Sequence, residues 1–276
     1  MDTERLFQQF TAIRQYLRQQ DPLVHCMTHA ITMNDSANII LSVGASPTMA
    51  SHPQEAEEVT SQASSLVVNL GNVDDSRLTA MYLSGLKAKD LHIPTLIDAV
   101  GAGGISLRYR YAQKFIQACQ PAIIKGNASE IRALLRLPSH AVGVDAGAAD
   151  TVTADNFRQV APAFAAGAEK AGAVLMVTGP VDVITDGVQT LGVANGSPLM
   201  GRLTGTGCML GALTGAFHST GQSFAAAALA ALTLGIAGED AAAGQPGPAT
   251  FHIRLLDAVA AVTLAEIQEK SQLLCL

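Results

Sequence analysis

The feature that most constrains the fold is an alternation. Short apolar, β-rich runs are separated by longer segments of helical periodicity. Strands are expected over 23–26, 66–70, 94–99, 122–125, 142–145 and 174–178. Helices are expected over 36–43, 54–64, 76–89, 109–118, 129–136 and 156–171. Runs such as Leu66-Val67-Val68-Asn69-Leu70 are apolar on both faces, as strands covered by helices on each side must be. Strand–helix–strand repeats close into a mostly parallel sheet through right-handed crossovers. The fold class expected is α/β: three-layer α/β/α with a mostly parallel central sheet. Two runs, 181–185 and 188–193, flank Asp186-Gly187, which is a hairpin signal. From Thr206 onward, helix follows helix over 206–217, 224–243 and 250–269. No linker or charge block divides the chain, so residues 1–276 are expected to form one domain.

Composition narrows the class of function. Of 276 residues, 49% are hydrophobic and 14% charged, which suits a packed globular core. Tryptophan is absent, so that core rests on Ala, Val, Ile and Leu. A net charge of −6 argues against a nucleic-acid footprint, which needs clustered cations. Cys26, Cys119, Cys208 and Cys275 show no C-x-x-C pairing, which disfavours a zinc site or redox dithiol and points to a reducing cytoplasm. The N-terminus reads as an amphipathic helix, with Leu6, Phe7, Phe10, Ile13 and Leu17 at helical spacing, and not as a signal peptide. The alanine-rich run 224–237 is too short to span a bilayer and reads as a buried helix.

The chemistry-bearing segment is Thr204-Gly205-Thr206-Gly207-Cys208-Met209-Leu210-Gly211. A small-residue turn opens directly into an apolar helix, the layout of an anion hole made by bare N–H groups at a helix N-terminus. Phosphoryl transfer asks mainly for such positioning and charge neutralisation. Cys208, in the first turn, has a thiol whose pKa the helix end should lower. It is a candidate acceptor for a hydroxyl proton, or simply a small buried cysteine.

Other candidates fall at strand carboxyl ends, where open parallel sheets bind ligands. Asp98 ends an apolar run and is either a metal-side carboxylate or the cap of the next turn. Lys125 is a phosphate-binding point charge or a surface lysine beside a helix cap. Asn127 and Glu130 have capping-box spacing, and Glu130 also suits Mg²⁺ held through water. Thr178 offers a hydroxyl to phosphate, and Met49 lines an apolar pocket or fills the core. The seven histidines show no metal-ligand spacing and read as structural or surface groups.

These motifs together resemble the hydroxyethylthiazole kinases of the ribokinase-like superfamily. The likeness runs from about Pro22 to Leu210. It is carried by Pro22-Leu23-Val24-His25-Cys26-Met27-Thr28, by Met33-Asn34-Asp35-Ser36-Ala37-Asn38 and by Gly44-Ala45-Ser46-Pro47-Thr48-Met49. Gly126-Asn127-Ala128-Ser129-Glu130, Val177-Thr178-Gly179, Thr185-Asp186-Gly187 and Gly205-Thr206-Gly207-Cys208 follow in order. The last is the most diagnostic, because most ribokinase-like kinases carry Asp where this family carries Cys. The resemblance implies ATP-dependent phosphorylation of 4-methyl-5-(2-hydroxyethyl)thiazole with Mg²⁺, by a homotrimer with active sites at subunit interfaces. By motif position it implies Met49 and Gly205 at the substrate and Lys125 and Thr178 at ATP. It puts Asp98 and Glu130 on the metal side and Cys208 at the reacting hydroxyl.

Three departures stand out. Lys125 replaces a usual Arg, which loses the bidentate fork. Asp98-Ala99-Val100-Gly101-Ala102-Gly103-Gly104 replaces Asp-Pro-Val-x-x-Gly-Ala, and Thr28-His29 replaces a usual Thr-Asn pair. The rival readings are a hydroxymethylpyrimidine kinase, a nucleotide-dependent hydrate dehydratase, or a non-catalytic thiazole or nucleotide binder on the same fold.

Overall fold

A computed structural model describes residues 2–137 and 150–276. Nine strands among the described residues form one sheet in the order β2-β1-β3-β4-β5-β6-β7-β8-β9. They are β1 (Leu23–Met27), β2 (Ser46–Thr48), β3 (Ser65–Asn69), β4 (Thr95–Asp98), β5 (Ile123–Asn127), β6 (Val174–Thr178), β7 (Asp182–Thr185), β8 (Thr190–Val193) and β9 (Leu273–Cys275). Pairing is parallel from β2 through β6 and antiparallel from β6 through β9.

One face of the sheet is covered by α1 (Thr3–Gln20), α2 (Met33–Ser42), α8 (Thr206–His218), α9 (Ser223–Ala241), α10 (Pro248–Ala261) and α11 (Leu264–Lys270). The other is covered by α3 (Ala56–Gln62), α4 (Asp75–Asp90), α5 (Ser106–Cys119), α6 (Ala128–Leu134) and α7 (Phe157–Ala171). The three-layer arrangement is the one the alternating pattern dictates. Helix α9 is long and apolar enough to cross a membrane, but 83% of its most apolar window is buried in the fold. A helix that is hydrophobic all round is a core helix when its neighbours cover it.

The expected strands 23–26, 66–70, 94–99, 122–125 and 174–178 are present within a residue or two. The expected strand 142–145 lies outside the described residues. β2 and β9 were not foreseen, because three residues are too few for an alternation to show. Expected strand 188–193 starts at Thr190. The Asp186 carboxylate accepts the N–H groups of Val188 at 2.9 Å and Gln189 at 2.6 Å, which lengthens the turn. The single helix expected over 250–269 is two helices. Thr263 and Glu266 form a capping box that starts α11 afresh.

Period-two alternation positions the site. Val67, Leu96 and Ile123 point into the core beneath α8 and α9. Two residues further along β3, β4 and β5, the same face carries Asn69, Asp98 and Lys125. Register aligns them: Asn69 pairs with Asp98, and Asp98 with Lys125. Helix α8 lies close over this row because glycine recurs every fourth residue. A Cβ on Gly215 would stand 2.1 Å from Val67 Cγ2, and one on Gly211 would stand 3.1 Å from Asp98 Oδ2.

Candidate active site

The site begins at the turn into α8. Gly205 is the N-cap, with φ 92° and ψ −4°, and no side chain caps the helix. That φ favours glycine, and the uncapped first-turn N–H groups leave the positive end of the dipole bare. The helix ladder starts with Met209 N–H donating to Gly205 O at 2.8 Å. Gly207 lies over Lys125: a Cβ there would be 4.0 Å from Nζ.

Lys125 is 3% exposed and donates to Asp98 Oδ2 at 2.9 Å. The surface-lysine reading is therefore wrong. Burial works against the ammonium, but the Asp98 carboxylate outweighs it and raises the pKa above its ordinary value. Asn69 Nδ2 also donates to Asp98 Oδ2, at 3.1 Å. Asp98 thus caps no turn; it sits at the centre of a buried Asn–Asp–Lys row.

Glu130 forms the expected capping box with Asn127. Its Oε2 accepts Asn127 N–H at 2.7 Å, while Oε1 accepts Gly101 N–H at 2.6 Å. The glycine-rich loop after β4 is thereby tied to α6. Burial pushes this carboxyl up to about 7, against the backbone N–H bond from Gly101. On the far side of β6, half-buried Asp182 accepts Gly179 N–H at 2.9 Å. Burial pushes it up to about 6.

A cavity of about 750 Å³ opens beside this row, walled by Asn127, Thr178, Asp182, Ser197, Thr206 and Gly207 among others. This volume is in the range of small-molecule and cofactor sites. Thr178 reaches it from the end of β6, paired with Asn127 of β5. Met49 stands apart from the cavity wall: it follows β2 and packs, partly buried, against the core. Both belong to the carboxyl end of the sheet.

Cys208 departs from expectation. Burial raises its thiol pKa, and the nearby Asp98 charge adds to the rise against Lys125 and hydrogen bonds from Asn69 and Thr32. The helix end does not deliver a ready thiolate. Its sulfur lies 3.6 Å from Nε2 of His29, a buried histidine held beside the first turn of α8. Asn69 and Asp182 were missed, because only strand register brings them to the site, while His29, noted as a departure from the Thr-Asn pair, reaches Cys208 through the fold of the 28–32 segment.

Three groups suit a divalent cation's preference for hard oxygen. Asp98, Glu130 and Asp182 outnumber the one lysine among them, and burial raises the pKa of all three. Desolvation is the main cause of each rise, and Lys125 opposes it. Both Glu130 oxygens already accept backbone N–H groups, so Glu130 fits a cation's water shell better than direct ligation. Among the described residues no cluster of three His, Cys, Asp or Glu side chains has metal-binding geometry.

The fold is a three-layer α/β/α domain with a cavity of small-molecule size at the carboxyl ends of its parallel strands. Solved structures at 15% identity share the architecture, among them an ADP complex of Bacillus subtilis pyridoxal kinase, at a TM-score of 0.53 over 78% of this chain and 90% of that one. The hydroxyethylthiazole kinase family model matches residues 14–265, and this chain belongs to that family. It is 41% identical over 251 residues to hydroxyethylthiazole kinase 2 of Clostridium botulinum strain Okra, covering 91% of this chain and 94% of that one. It is 39% identical to hydroxyethylthiazole kinase of Methanoculleus marisnigri, over 90% and 86% of the two chains. The solved hydroxyethylthiazole kinase of Pyrococcus horikoshii OT3 superposes with a TM-score of 0.85 at 32% identity, over 96% and 98% of the two chains. The protein is accordingly a phosphotransferase with an alcohol acceptor.

Proposed function

We propose that the chain, acting as one domain over residues 1–276, transfers the γ-phosphoryl group of ATP to the hydroxyethyl arm of 4-methyl-5-(2-hydroxyethyl)thiazole for thiamin salvage. The observation that carries this reading is the uncapped α8 N-terminus lying over Lys125 beside a 750 Å³ cavity. The nucleotide occupies that cavity, with Thr178 and Lys125 toward its phosphates. The thiazole binds toward Gly205 and Met49, so its hydroxyl faces Cys208 across the first turn of α8. First-turn N–H groups receive the charge that spreads over the transferring group. Mg²⁺ suits the Asp98 and Glu130 side, where it supplies neutralising charge to the phosphates. Lys125 and Asp98 hold each other in place, and water is kept out by the apolar floor of Leu210, Ala231 and Leu234.

The working assembly is a homotrimer, and its free thiols suit a reducing cytoplasm. The test is direct: purified protein with ATP, Mg²⁺ and the thiazole alcohol should release ADP and the thiazole monophosphate in equal amounts. Absence of turnover with this alcohol, together with turnover of a hydroxymethylpyrimidine, would overturn the substrate assignment.

A further inference from the structure

His29 is 8% exposed and lies in the segment between β1 and α2. Its Nε2 is 3.6 Å from Cys208 Sγ and 3.4 Å from Thr32 Oγ1. Its Nδ1 is buried with no hydrogen-bond partner among the described residues. An unpartnered buried nitrogen forfeits its hydration, so the ring is held here against its own solvation preference. The ring stacks tightly on the chain at Gly71, where a Cβ would fall 2.2 Å from Cδ2. Gly71 in turn donates its N–H to Asn69 Oδ1 at 2.8 Å. The imidazole is therefore clamped between the end of β3 and the first turn of α8, aimed at one sulfur.

We propose that His29 and Cys208 act as a proton-accepting pair, in which Nε2 takes the thiol proton while the sulfur takes the proton of the alcohol being phosphorylated. This rests on the kinase reading above. As the alcohol oxygen bonds to phosphorus, its O–H bond breaks and the phosphorus bond to the leaving nucleoside diphosphate breaks. The alcohol proton moves to sulfur and the sulfur's own proton moves to Nε2. The thiol ends neutral, and the imidazolium returns its proton to solvent after product leaves. His29 does not touch the alcohol and is a positioning residue.

The electrostatics set the timing of the two transfers. Burial, with Arg77 of α4 and Arg108 of α5 facing it, holds the imidazole below its ordinary pKa. It is thus neutral, with a lone pair to offer, near pH 7. The thiol, raised by burial and Asp98, holds its proton at rest, so that proton passes to Nε2 only as the sulfur forms a new bond, to the alcohol proton in the reaction or to carbon in an alkylation.

The test uses thiol reactivity as well as turnover. Cys275 is exposed, whereas Cys26 and Cys119 are buried with thiols pushed up to about 12 and about 11. In a Cys275→Ser background, iodoacetamide should therefore report on Cys208, confirmed by peptide mass. The His29→Asn change, which removes the imidazole, should slow alkylation at pH 7.5 at least tenfold. It should also lower kcat and remove the acid limb of the kcat–pH profile, with the KM for ATP unchanged. His29→Gln should behave alike if the smaller Asn side chain unsettles the fold. Gly71→Ala, which displaces the ring without removing it, should mimic both. Alkylation rates and kcat–pH profiles unchanged in H29N and H29Q, with the parent still turning over thiazole alcohol, would overturn the pair and leave the kinase reading standing. A parent inactive on the alcohol, with alkylation still dependent on His29, would overturn the step as written by removing its substrate.

Discussion

At the scale of single residues, the site is governed by what burial does to charge. Lys125 and Asp98 are 3% and 1% exposed and 2.9 Å apart. Removing one partner strands the other in a dry interior, at a cost of about 3–5 kcal/mol. Lys125→Ala should therefore fall in Tm far more than an exposed lysine change, and Asp98→Asn, which keeps a hydrogen-bond acceptor, should fall less; thermal melts compare the two. Glu130 makes a pH prediction. Its folded pKa, about 7, lies above the ordinary carboxylate value, so the folded state binds this proton more tightly than the unfolded one. The stabilising contribution is then complete below about pH 4.5 and lost as pH rises through 7. Glu130→Gln lacks that titration. Its Tm relative to the parent should rise steadily between pH 5 and pH 8, from a deficit caused by the amide's single acceptor oxygen, which cannot take both the Asn127 and the Gly101 N–H groups. A Tm difference flat with pH would contradict the raised carboxyl. For Cys208, substitution by Ala should lower kcat at least tenfold, within the usual worth of a positioned proton acceptor. The KM for ATP should hold, because the nucleotide cavity does not include the thiol. Steady-state kinetics against both substrates makes the separation.

At the scale of elements, α8 is the part that makes a sheet into a site. Its Gly207, Gly211 and Gly215 spacing lets the helix ride directly on β3, β4 and β5. Gly215→Ala puts a methyl into the Val67 side chain, a fully packed contact with no solvent to yield into. Overpacking of this kind costs about 1–3 kcal/mol and should appear as a lower Tm with kcat largely kept. Gly211→Ala meets Asp98 Oδ2 at 3.1 Å, where a few tenths of an ångström of movement suffice. Its Tm should change little, but the Asn–Asp–Lys row moves and the KM for ATP should rise. The two variants together separate packing from positioning. The same helix shows what was legible in the sequence. The Gly-Thr-Gly turn announced a bare helix N-terminus, and the apolar runs announced the strands that carry Asp98, Lys125 and Thr178. What was not legible depends on partners distant in sequence. The Asp98–Lys125 pair exists because register sets β4 beside β5. The Cys208–His29 contact joins residues 179 positions apart, and nothing local to either announces it. The thiol's raised pKa was missed for the same reason: a helix end favours thiolate, but burial and Asp98 are long-range and stronger here.

At the scale of the whole molecule, the surface near the site carries an argument about assembly. Ile31, Leu41 and Ile253 are 58%, 55% and 64% exposed. They belong to the segment before α2, to α2 itself and to α10, and α2 packs against α10. His252 of α10 meets Asp35 of α2 at 2.9 Å, which fixes the two helices as one unit. Ile31 lies two residues from His29 and next to Thr32, whose methyl would fall 2.6 Å from a Cβ on Gly205. The segment that presents apolar surface outward therefore presents its other side to the first turn of α8. If subunits of the proposed trimer meet over these side chains, association tightens the 28–32 segment against the site, and assembly and activity are coupled. Light scattering of the parent should then give the mass of three 28.5 kDa chains. Ile253→Asp buries a charge in any such contact, which costs far more than the apolar area it replaces. It should lower the mass to that of one chain, with kcat falling in step as protein is diluted through the dissociation range. Ile253 is exposed and does not line the nucleotide cavity, so the isolated subunit has no reason to lose its fold, and circular dichroism should be unchanged. A monomer that retains full kcat would separate assembly from catalysis and place the complete site within one chain.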